Sequence, residues 1–180
     1  MRGVRGTIAL ASLALVVLLA GGLRPAAGQP DPTTAASGTP VAGLPGVSSE
    51  VLARAAPDVA PAAELAVGRV TIAPGASIPP HEHPGTQVAA IVSGELTYTV
   101  LSGEVPVRRA GTTGTPGATA ADDAITAGET VVLRPGDAVT ERPGALHTAR
   151  NAGTEPVVIA LATLFDPDRP RTIFAATPEP

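Results

Sequence analysis

Turn signals cut this chain into short pieces, and nothing else in it limits the fold so tightly. From residue 65 onward the punctuation is Pro74-Gly75, Pro84-Gly85, Gly94, Ser102-Gly103, Pro135-Gly136, Pro143-Gly144 and Gly153. Between these points lie β-prone runs at residues 65–72, 87–93, 95–101, 105–108, 129–133, 146–151 and 156–165. Pieces of this length are short for helices and suit strands. In 95–101 the alternation is clear: Leu96, Tyr98 and Val100 share one face, and Glu95, Thr97 and Thr99 the other. Short strands at regular spacing, closed by Gly and Pro turns, predict an all-β sandwich or barrel. The whole chain, 180 residues with 20 Gly and 20 Pro, has room for one such domain. Aromatics are only 2% of it and Trp is absent, so Val, Ile, Leu and Ala must fill the core.

The ends follow other rules. Arg2 and Arg5 precede an apolar run at 8–20, and small residues follow up to Gly28. This is the layout of a secretory signal peptide over residues 1–28, with cleavage expected before Gln29. The other reading is an uncleaved anchor, although a spanning helix needs about 20 apolar residues. The expected location is therefore outside the cytoplasm, with membrane contact only through this segment if it is retained. Residues 29–57 are rich in Pro, Thr, Ala and Gly and read as a flexible linker, with a short helical turn expected at 48–56. The barrel is expected over 58–166, interrupted at 110–124 by a long loop poor in bulky apolar residues. A tail at 167–180 is expected to be loose apart from docking by Ile173 and Phe174.

Several function classes drop out. The net charge is −4 and no basic stripe is present, so there is no electrostatic footprint for nucleic acid. With no Cys there is no disulfide framework, thiolate metal site or Cys nucleophile. No Ser-His-Asp set, paired carboxylates or phosphate loop is evident. What remains is the three His, the whole complement of the chain. His81 and His83 stand two apart after Pro79-Pro80, which hold the backbone extended, so both imidazoles project to one face. Glu82 points the other way. His147 opens a strand after the Pro143-Gly144 turn, and a closed barrel can bring it alongside. Neutral imidazoles suit divalent Fe, Mn, Zn, Cu or Ni.

These residues resemble two motifs of the cupin superfamily. Gly75, His81, His83 and Gly94 stand where the first motif has its Gly, His-x-His and closing Gly. Gly136, Gly144, His147 and Asn151 stand where the second has its Gly, turn Gly, His and Asn. The resemblance covers roughly 60–165. It implies an all-β, single cupin-type barrel, a double-stranded β-helix or jelly-roll, with a divalent transition metal inside. The metal set carried over is His81, His83, Gln87 and His147. Two departures stand out. Arg142 occupies the place of the motif proline, which is displaced to Pro143. Gln87 occupies the place of the usual carboxylate ligand, so the site either has a weak amide donor there or is a three-His site, as in some cupins. Asn151 is expected to serve the turn and Tyr98 the core. Arg69, Glu95 and Glu141 read as solvated strand-edge charges.

Three functions stay open: a metal-dependent, dioxygenase-like enzyme on a small molecule, a non-catalytic small-ligand module, and a barrel whose metal is structural. Both faces of 87–93 are apolar, Val88, Ala90 and Val92 against Ala89 and Ile91, which leads us to expect a homodimer.

Overall fold

The computed structural model describes residues 38–111 and 123–176. All of them fall in one compact unit. The expected signal peptide, most of the 110–124 loop and the last four residues lie outside the described residues.

The described chain is built of antiparallel strands in two sheets. The larger sheet holds β1 (Thr39–Pro40), β2 (Val47–Ala55), β3 (Glu64–Ile72), β5 (Thr86–Ser93), β7 (Glu104–Arg108), β8 (Ala124–Thr126), β10 (Ala138–Glu141) and β12 (Val157–Phe165). Its spatial order is β1-β2-β3-β12-β5-β10-β7-β8. The smaller holds β4 (Ser77–Glu82), β6 (Leu96–Ser102), β9 (Thr130–Leu133), β11 (Leu146–Arg150) and β13 (Ile173–Phe174), ordered β13-β4-β11-β6-β9. Apart from β1-β2-β3 and β7-β8, neighbours in space are not consecutive in sequence, as the all-β jelly-roll reading requires.

Alternation along the strands decides what fills the barrel. On β5, Gln87, Ala89 and Ile91 are buried, while Val88 and Val92 face out. On β6, Leu96, Tyr98 and Val100 are buried, and on β10, Val139 and Glu141. The buried apolar ones among these, with Ile72, Leu133, Val157 and Ile159, form one continuous core. Burying a large aliphatic side chain contributes about 1.5–3 kcal/mol, so this core rests mainly on aliphatic residues, with Tyr98 as its one aromatic member. Asn151 staples the turn before β12. It is fully buried, donates to the carbonyls of Ile72 (2.9 Å) and Glu155 (2.8 Å), and accepts from Gly153 N–H (3.0 Å).

One boundary moves. Residues 47–55, expected in a linker with a helical turn, form β2, a full strand against β3. Only Val47 and Ser48 of β2 are buried, and the pairing shifts register between Val51 and Ala53. The strand therefore carries no alternation that its sequence could show. At the other end, Ile173 and Phe174 dock as expected, pairing with Glu82 and His81 of β4.

Candidate metal centre

Two strands of the smaller sheet bring the histidines together. His81 on β4 and His147 on β11 are direct cross-strand partners. His83 follows the end of β4, where the chain crosses to β5. All three are buried, and their ligand nitrogens lie within 4.8 Å of one another.

Each ring is aimed by the same device. The Nδ1 of His81 donates to Pro79 O, that of His83 to Arg171 O and that of His147 to Ala145 O, each at 2.8 Å. A ring that donates through Nδ1 carries its lone pair on Nε2. Stacking fixes the ring planes as well: Phe165 lies against His83 at 5.8 Å and Tyr98 against His147 at 5.1 Å. Burial, with His147 beside it, pushes His81 down to about 3. Burial also lowers His83 and outweighs the opposing pull of Glu141. His81 and His83 are therefore held in the neutral form that a metal needs.

The larger sheet supplies the facing wall. Thr163 on β12, Gln87 on β5 and Glu141 on β10 are cross-strand partners in one row. Glu141 is a correction to the solvated-edge reading, since only 3% of it is exposed. Its Oε2 lies 3.4 Å from His83 Nε2 and its Oε1 3.3 Å from His147 Nε2. With His83 held neutral the first contact is not an ion pair. Tyr98 donates its hydroxyl to Oε1 (2.8 Å) and Gln87 its amide to Oε2 (2.7 Å). The same Gln87 nitrogen lies 3.1 Å from His83 Nε2. Glu141 thus turns the N–H side of Gln87 inward. Tyr98 is core, as expected, and its hydroxyl also serves the site. Glu82 points away and accepts from Gly144 N–H at 2.9 Å. Arg69 and Glu95 keep to partly exposed ion pairs, with Glu50 (3.9 Å) and Arg134 (3.1 Å).

The signal for Glu141 was present in the sequence. Val139 is an obvious core residue, and strand alternation carries Glu141 to the same face.

Behind these groups the barrel encloses a cavity of about 330 Å³, walled by residues such as Leu44, Val47, Ile159, Leu161 and Phe174. That volume lies within the range of small-molecule sites.

Two antiparallel sheets close around three convergent, backbone-anchored histidines, a cluster that could hold a metal ion. Residues 68–113 match the family model described as the cupin domain. That match, together with the jelly-roll fold and both motifs in order, supports a cupin superfamily protein. No curated protein matches it. Among solved structures, an oxalate oxidase in complex with the substrate analogue glycolate is 22% identical, with a TM-score of 0.46, over 72% of this chain and 55% of its own. The chain thus spans about half of that protein. A polyketide cyclase from Streptomyces resistomycificus is 14% identical, with a TM-score of 0.48, over 74% of this chain and 75% of its own. A cupin superfamily protein from Desulfitobacterium hafniense is 19% identical, with a TM-score of 0.42, over 67% of this chain and 78% of its own. At such identities and scores the likeness says nothing about substrate or reaction.

Proposed function

We propose that this chain is an exported cupin that holds one divalent transition ion on His81, His83 and His147 and acts with it on a small, largely apolar molecule, as an oxidoreductase of the dioxygenase-like kind. One observation carries the reading: three histidines, each anchored through Nδ1 to a backbone carbonyl, bring their other nitrogens together beside a largely apolar cavity. A divalent ion held there supplies Lewis acidity and, where the metal is redox-active, electrons. The chain's own residues do the rest. The aliphatic walls exclude water and select apolar bulk. Thr163 has a buried hydroxyl without a protein hydrogen-bond partner and lines the cavity, so it is free to meet a polar group of the substrate.

The second reading is a non-catalytic module that captures a small ligand. The largely aliphatic wall away from the histidine end favours it, because it offers few groups that could take part in chemistry. Elemental analysis of protein purified from its native host without added metal tests the common ground. About one transition ion per chain is expected, and none should remain on His147→Ala. A metal-free wild type would end both metal readings. Oxygen consumption with a panel of small apolar acids then separates enzyme from binder. Export is part of the proposal, and the intact mass of the native protein should correspond to a chain starting near Gln29.

A further inference from the structure

The pair Gln87 and Glu141 carries a second inference, which rests on the three-histidine reading above. We infer that Glu141 is the carboxylate ligand of this site, delivered from β10 instead of β5, and that Gln87 is its hydrogen-bond donor.

The two positions are direct cross-strand partners, so their side chains leave the same face of the larger sheet side by side. Moving a carboxylate from one to the other keeps it facing the histidines. The spacing fits coordination. Two bonds of about 2.1 Å that meet at about 100–110° hold their outer atoms about 3.2–3.4 Å apart. The Glu141 oxygens lie 3.4 Å and 3.3 Å from the Nε2 atoms of His83 and His147. One oxygen faces each ring, at the Nε2 left over once Nδ1 is committed to Arg171 O or Ala145 O. Acceptors gathered against acceptors repel unless a cation sits among them. Glu141 is not within the 4.8 Å cluster that the three histidines form. Its carboxylate must therefore close toward His81 to complete a four-ligand set.

Gln87 is unsuited to the ligand role in this arrangement. Its nitrogen, at 2.7 Å from Glu141 Oε2, is the end that faces the site. Turning the amide over would set its oxygen against the carboxylate. Tyr98 completes the support, donating to Oε1 from the opposite sheet. A carboxylate held by two donors keeps its direction while leaving further lone pairs for an ion.

The test uses Zn²⁺ alone as the probe, on the full folded chain. Competition titration against a chromophoric chelator gives affinity for wild type, Glu141→Gln, Gln87→Ala and the exchange variant Gln87→Glu/Glu141→Gln. Glu141→Gln should weaken Zn²⁺ binding at least about tenfold, the scale of losing a group that holds or supports a metal. Gln87→Ala should weaken it less. The exchange variant should recover tight binding, because it restores the carboxylate to the facing wall. A crystal structure of the Zn²⁺-loaded wild type separates a ligand from a mere support: a Glu141 oxygen should lie about 2.0–2.2 Å from the ion. If that oxygen stays beyond bonding distance, the assignment is wrong, even if Glu141→Gln fails to fold and its titration is lost. Unchanged affinity in a folded Glu141→Gln would also overturn it while leaving the three-histidine site standing. A wild type that binds no Zn²⁺ removes both.

Discussion

A histidine that refuses a proton makes a protein sensitive to acid. His81 is held down to about 3 by burial and by the neighbouring His147, with His83 adding to the effect. Burial lowers His83 too. In the unfolded chain the same rings take up protons near the ordinary value of about 6.5. Between these limits the unfolded state binds more protons than the folded one, so stability rises with pH there and levels off above about 6.5. The metal-stripped protein should therefore show a lower urea midpoint at pH 5 than at pH 7, measured in chelator. Equal midpoints would mean that the rings are solvated. The histidines of this site were legible from spacing and motif, but its carboxylate was not. Glu141 has the composition of an edge charge, and only the alternation from Val139, with the shortfall at Gln87, hints that it points inward.

At the level of strands and turns, the clearest constraint is the close of the hairpin after β5. Gly94 has φ +75, and a Cβ there would come 2.7 Å from Pro156 O and 2.9 Å from Val157 Cα. Gly75 has nearly the same backbone, φ +78, with nothing within 4 Å of the added atom. Gly75→Ala should cost only the left-handed backbone penalty, about 1–2 kcal/mol. Gly94→Ala adds a collision with backbone, which costs about 1–3 kcal/mol more. Chemical denaturation of the two variants side by side isolates the collision, and equal losses would show that the hairpin yields. The strands readable in advance are those with an apolar core on one face and a Gly or Pro stop at each end, such as β6 and β12. β10 was hidden by its length, just AVTE. β2 was hidden because it is mostly exposed and rich in helix formers, and it becomes a strand through the long ladder with β3. Tertiary pairing overrides local preference there.

At the scale of the molecule, the outer face of the larger sheet is unusually apolar. Val88 and Val92 on β5, Leu164 on β12 and Leu65 and Val67 on β3 are each more than 40% exposed. The register sets Val88, Ala162 and Val67 in one row and Leu164 beside Leu65. Patches of this kind on soluble proteins mark contact surfaces, and the expected occupant is a second copy of the chain. Sedimentation at micromolar concentration should give a dimer, and Val88→Glu should divide it. A wild-type monomer would remove the idea. That Gln87 and Val88 lie on opposite faces of one strand was foreseeable from alternation. Which outer face meets a partner was not, since that depends on β3, β12 and β5 lying side by side.

The carbonyl that aims His83 belongs to Arg171, 88 positions further along the chain. Arg171 is itself tied down by Glu64 at 2.9 Å and lies over the Phe165 ring at 5.7 Å. The chain leaves a ribosome N-terminus first. All three histidines have therefore emerged well before the backbone that orients one of them. A chain made only as far as His147 carries all three histidines and still lacks the carbonyl that aims His83. The ring of His83 can therefore take this aim only once residue 171 has been made.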